Sequence, residues 1–182
     1  MKEGNIMYLH TYLKQNKPLK VKRGSRTKAF IFADKVLLRT IDPIKECMAL
    51  GWFPDSELFP EVKKTDFEDI DDSFQIFESP VYLQGRSMKA LVCKDDWEGV
   101  YLPLVQLYKT INYGYRVYEW HHSFIQAVNN CVGLREDAKE AIKEAYEACM
   151  NFSEKVKFEI SPRNIAATED GKLILLDCFF IV

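Results

Sequence analysis

Two β-rich runs open the chain. Lys22–Ala33 passes through the polar pair Asp34-Lys35 into Val36–Ile41, which predicts a strand hairpin preceded by Gly24 in a basic loop. Asp42-Pro43 then supplies an N-cap and a first-turn proline, and Gly51 follows the apolar positions of residues 44–50, so a short helix is expected there. Trp52–Val62 is punctuated by prolines and reads as a loop. The charged stretch Lys63–Asp72 reads as a solvated loop, Phe74–Phe77 as a strand, and Glu78–Leu83 as a segment without helical character.

The second half is mostly helical by its spacing. Asp95–Tyr108 carries apolar residues at helical intervals, with Pro103 required to lie near a start or a kink. Tyr113–Tyr118 is aromatic and β-prone, and Trp120–Cys131 predicts a helix. The clearest periodicity is in Leu134–Phe152, where Ala138, Ile142, Ala145, Cys149 and Phe152 define one face and charged residues fill the others. Ile165–Thr168, a Glu169-Asp-Gly171 turn and Lys172–Leu176 make a final hairpin, with Gly171 free to take positive φ and Asp177 at the end of the return strand.

Composition narrows the setting. A chain of 182 residues with 47% hydrophobic and 13% aromatic content can bury a core as one compact unit of one or two small lobes, the first over about residues 1–80 and the second over about 81–182. No apolar stretch approaches the roughly 20 residues that span a bilayer, and no signal-peptide core opens the chain, so the expectation is a cytoplasmic protein without a membrane partner. Net charge −2 gives no global case for nucleic acid, although Lys14–Lys28 is locally basic; that run is expected to be an exposed segment or a phosphate-attracting one. Five scattered cysteines without a Cys-x-x-Cys pair read as thiols. Adjacent His121 and His122 diverge by about 100° on a helix and do not make a zinc site.

The chemistry concentrates near the C-terminus. Asn164 and Asp177 are hard oxygen donors of the kind magnesium takes in ones and twos, leaving its other positions to phosphate and water. The final hairpin would return Asp177 towards Asn164. Glu159 would then stand at the mouth of the same cleft.

Here the residues carry a resemblance. Lys157-Phe-Glu159-Ile-Ser-Pro-Arg-Asn164 resembles the catalytic loop of the protein kinase-like superfamily, and Leu175-Leu-Asp177-Cys-Phe179 resembles its metal motif. The resemblance implies an α+β fold with a small antiparallel-sheet N-lobe and a truncated, mostly helical C-lobe. It implies ATP and Mg²⁺ as cofactors, Glu159 as catalytic base, and Asn164 and Asp177 as metal ligands. By order along the chain it places Gly24 in the loop over the phosphates and Arg39 as the strand cation. Glu46 is then its ion-pair partner on the following helix, and Glu78 opens the hinge whose backbone binds adenine. Lys157 for His, Glu159 for Asp, Arg39 for Lys and Phe179 for Gly are departures.

The order over residues 20–180 is similar to compact kinase-like proteins of tailed phages, which suggests a phage origin and a host protein as partner. With only five residues after Asp177, the expectation is a chain without an activation segment or lower lobe. Two functions follow: a minimal phosphotransferase, or a pseudokinase scaffold that binds a host protein without catalysis.

Overall fold

The computed structural model describes residues 7–114, 120–152 and 155–181. The chain is α+β and divides into two compact units. One holds residues up to Trp52 together with Glu61–Val81; the other holds Phe53–Pro60 and everything from Tyr82 onward. The boundary after Val81 falls one residue beyond the expected one. The loop Phe53–Pro60, expected in the first lobe, belongs to the second because its backbone is bonded there: the Leu175 amide donates to the Leu58 carbonyl at 2.7 Å.

The first unit opens with β1 (Met7–Tyr8) and α1 (Leu9–Gln15). Then come β2 (Lys20–Arg23), β3 (Thr27–Ile31), β4 (Val36–Thr40) and α2 (Pro43–Ala49). The short β5 (Lys63–Lys64) and β6 (Phe67–Glu68) precede β7 (Gln75–Ser79). Five strands form one antiparallel sheet in the order β2-β3-β4-β7-β5, and β1 pairs in parallel with β6.

Alternation puts Phe30, Leu37 and Ile76 on one sheet face, as their pairing register requires. With Phe32 and Leu9 they form a buried cluster, against which Tyr12 and Leu13 of α1 and Phe67 also pack. Leu9, Tyr12 and Leu13 are spaced i, i+3, i+4, so a helix of two turns can lay all three on the sheet. The basic run Lys14–Lys28, expected to be an exposed segment or a phosphate-attracting one, is exposed at most of its positions and is ordered as the end of α1 and the first hairpin. Lys63–Asp72 is no simple solvated loop. It contributes two short strands and a core aromatic.

The helix signals at α2 act as read. The Asp42 carboxylate accepts from the Ile44 amide at 3.1 Å, Pro43 takes the first turn, and Gly51 leaves at φ 73°.

The second unit contains a 3₁₀ turn at Met88–Ala90, α3 (Lys94–Asp96), a π-turn at Trp97–Tyr101, α4 (Leu102–Gly114), α5 (Trp120–Asn129) and α6 (Glu136–Met150). Its strands are β8 (Val156–Phe158), β9 (Ile165–Ala167), β10 (Leu173–Leu175) and β11 (Phe179–Ile181). β9 pairs with β10 and β8 with β11, both antiparallel.

Pro103 explains the π-turn. It has no N–H to give to the Gly99 carbonyl, and that carbonyl accepts instead from the Arg135 amide at 3.0 Å. A Cβ on Gly99 would lie 3.2 Å from Cγ of Arg135, so the glycine permits the close approach. The expected β-prone stretch Tyr113–Tyr118 starts inside α4, and residues 115–119 lie outside the described ones. Tyr146, Phe124, Phe158 and Phe179 are each almost fully buried and stack with ring centroids 4.4–6.0 Å apart, joining α5 and α6 to the β8–β11 pair. Among the described residues no helix is long and apolar enough to cross a membrane.

Candidate functional site

The β9–β10 hairpin is held from three sides within its own unit. The turn uses Gly171 at φ 86°, with the Thr168 hydroxyl accepting from the Lys172 amide at 2.9 Å. Leu83 exchanges both backbone bonds with Ala167, at 2.7 and 2.9 Å, extending the hairpin by one bridge. Behind the turn, the Cys93 amide donates to the Gly171 carbonyl at 2.7 Å, and the Asp96 carboxylate accepts from the Leu173 amide at 2.9 Å. Asp96 is only 7% exposed, and Arg135 meets its other oxygen at 2.6 Å. In the sequence Asp96 stands only as the second residue of the stretch Asp95–Tyr108 expected to be helical. Its partners are 39 and 77 positions away, so no local signal points to them.

This hairpin brings the three C-terminal candidates together. The Glu159 amide donates to the Cys178 carbonyl at 2.9 Å, and the Leu176 amide donates to the Asn164 carbonyl at 2.8 Å. The loop 159–164 is thus bonded at one end to the residue after Asp177 and at the other to the residue before it. Asp177 is anchored on both sides against the loop that carries Glu159 and Asn164. The loop itself is tightened by the Asn164 amide donating to the Ser161 carbonyl at 3.0 Å. The Gln84 side-chain amide adds bonds to the carbonyls of Arg163 at 3.2 Å and Ile165 at 2.8 Å. Asp177 is exposed, while Glu159 and Asn164 are half-buried.

A carboxylate and a carboxamide on backbone fixed in this way fit magnesium, which prefers oxygen donors and needs only one or two from protein. Among the described residues, no group of three or more His, Cys, Asp or Glu is placed to share a metal ion. Phe179, which replaces a glycine of the resembled motif, belongs to the four-ring aromatic core. Its ring fixes β11 from below, and the position is a packing site here.

The first-unit candidates have different settings. Gly24 opens the connection between β2 and β3, and its amide donates to the Thr27 carbonyl at 2.8 Å. A Cβ there would stand 3.3 Å from that carbonyl oxygen, so the glycine serves a tight hairpin.

Arg39 lies on the sheet face of Phe30, Leu37 and Ile76, the face that α1 covers. Its guanidinium makes a two-pronged contact with Asp69, Nε to Oδ2 at 2.6 Å and Nη2 to Oδ1 at 3.0 Å, and stacks 3.4 Å from the centre of the Phe74 ring. The expected partner, Glu46 on α2, is replaced in this ion pair by Asp69. The reason is one of shape: a planar fork matches a carboxylate oriented edge-on, and the turn at 69–73 presents one, its Asp69 Oδ1 also accepting from the Asp71 amide at 3.0 Å. Lys35 shares the face by alternation and bonds Glu78 at 2.9 Å, with its ammonium 5.7 Å from the Tyr12 ring. The side chain of Glu78 is thus taken up by Lys35.

The Arg39 hydrogen bonds hold the Asp69 carboxyl below its ordinary value, against the opposing effect of partial burial. A depressed carboxylate contributes stability that is complete above its unfolded pKa and lost as pH falls through its folded one. Asp69→Asn is therefore expected to cost about 1–3 kcal/mol at neutral pH, and the deficit relative to wild type should shrink below about pH 4. Urea midpoints measured from neutral to acid pH check this, and a deficit that grows on acidification would contradict it.

No protein-family model, no curated protein and no solved structure matches this chain.

Proposed function

We propose that the chain is a kinase-like protein that binds ATP with Mg²⁺ through Asn164 and Asp177 and transfers phosphate with Glu159 positioned at the acceptor. One observation carries the reading: the segment bearing Asp177 is hydrogen-bonded on one side to Glu159 through Cys178 and on the other to Asn164 through Leu176. These backbone bonds, between segments distant in the chain, support the order that the resemblance implies. The element order agrees: a strand hairpin, a cation-bearing strand followed directly by a helix, a strand leading to an extended segment, then helices, the candidate loop and the hairpin.

A bound magnesium would neutralise phosphate charge and polarise the transferred group. Asn164 and Asp177 supply it with two oxygens. Glu159, half-buried at the head of the loop, accepts or orients the acceptor proton. Phosphate transfer from labelled ATP to a generic protein acceptor tests the assignment. Glu159→Ala should lower transfer by about 100-fold or more while leaving nucleotide affinity nearly unchanged. Equal transfer by wild type and Glu159→Ala would remove Glu159 from the chemistry.

A second reading has its own observation. Arg39, the strand cation of the resemblance, is already clamped by Asp69 and Phe74, and Lys35 by Glu78. A protein that keeps the fold but has turned its cations to structural use would serve as a scaffold for a host protein. In that case nucleotide binding survives weakly or not at all, and no transfer is measured from any variant.

A further inference from the structure

β2 stands at one end of the sheet order, so among the described residues its outer side has no strand partner. Its pairing phase shows which backbone groups face out. Gly24 bonds Thr27 across the hairpin, and Lys22 and Lys20 lie opposite Ala29 and Ile31 in the same register. Antiparallel pairs alternate between bonded and non-bonded, so Lys20 and Lys22 bond inward to β3 while the N–H and C=O of Val21 and Arg23 point outward. The side chains of Leu19 and Val21 are 75% and 42% exposed on this edge.

The stretch of chain that contains β2 carries charge of one sign. Between Leu9 and Ala33 the chain carries seven cations, Lys14, Lys17, Lys20, Lys22, Arg23, Arg26 and Lys28, and no acidic residue, although its overall net charge is −2. Lys20 and Lys22 share one face of the strand and repel each other; burial and that repulsion together lower the Lys22 pKa. Cations on an edge strand deter pairing with another copy of the same edge. The same cations attract a strand of opposite sign.

We infer that β2 is a docking edge for an extended acidic segment of a partner protein, which adds as a further strand beside Val21 and sets its carboxylates against Lys20 and Lys22. Open backbone groups favour a peptide over a nucleic acid. Phosphates could meet the cations and the N–H groups, but a peptide also supplies donors for the outward carbonyls. This docking is independent of the nucleotide site.

Fluorescence anisotropy of a labelled peptide of alternating Glu and Val, added to the full chain, tests it. Val21→Pro removes an outward N–H without breaking a bond to β3. It should weaken binding at least about tenfold with the thermal midpoint unchanged, and the double variant Lys20→Glu, Lys22→Glu should do the same. Wild-type binding should also fall as salt is raised. Absence of peptide binding overturns the inference, as does equal binding by Val21→Pro, or an oligothymidylate of equal charge binding as tightly as the peptide. Should Val21→Pro lower the thermal midpoint, the double variant decides: retained binding overturns the inference and lost binding upholds it.

Discussion

Asp177→Ala is expected to weaken Mg²⁺-dependent ATP binding at least about 100-fold and to leave the fold intact. Asp177 is exposed, so losing its carboxylate opens no cavity. Its backbone neighbours keep their bonds, because Leu176 and Cys178 hold the loop through main-chain atoms that a side-chain substitution does not touch. In the proposed site that carboxylate is one of two side-chain oxygens offered to the metal. A titration of ATP with and without Mg²⁺ separates the terms: the metal-dependent part of the affinity should disappear, and any metal-independent remainder should match wild type. Equal metal-dependent affinity in both proteins would contradict the assignment.

Asp96→Ala is expected to destabilise the protein by about 3 kcal/mol. Its carboxylate is buried and serves two partners, the Leu173 amide and the Arg135 guanidinium. Truncation leaves a buried N–H without an acceptor and removes one of the two carboxylates that face Arg135. Asp137 still bonds Arg135 at 3.1 and 3.0 Å, which limits the loss on that side. Asp96→Asn, with an acceptor oxygen still available to Leu173, should cost clearly less. Urea unfolding of the three proteins measures the difference. Near-identical midpoints for wild type and Asp96→Ala would show that the hairpin does not depend on this anchor.

Where the determinants of structure are local, the sequence announces them. The Asp42-Pro43 start and Gly51 stop of α2, the Gly171 turn and the periodicity of α6 are each decided within a few residues, and each lies where it was read. The return of the Asp177 backbone beside the loop that carries Asn164 follows from such a turn, so that approach was legible. Long-range pairing was not. Arg39 is 30 positions from Asp69, and a charged run such as Lys63–Asp72 looks the same whether it faces water or supplies one fixed carboxylate. α1 was missed because three apolar residues make a weak periodic signal in a helix of seven residues. Phe179 looked like a damaged motif; its burial at 2% exposure shows a core residue, which only the packing of Phe124, Tyr146 and Phe158 around it could disclose.

A thermal-shift titration with ATP, run with Mg²⁺ and with chelator, decides whether the protein binds nucleotide through a metal. Ligand binding to the folded state raises the midpoint with concentration. The wild-type midpoint should rise only with Mg²⁺ present, and the rise should vanish in Asn164→Ala combined with Asp177→Ala. No rise with Mg²⁺ and ATP, or the same rise in the double variant, would contradict the proposed site.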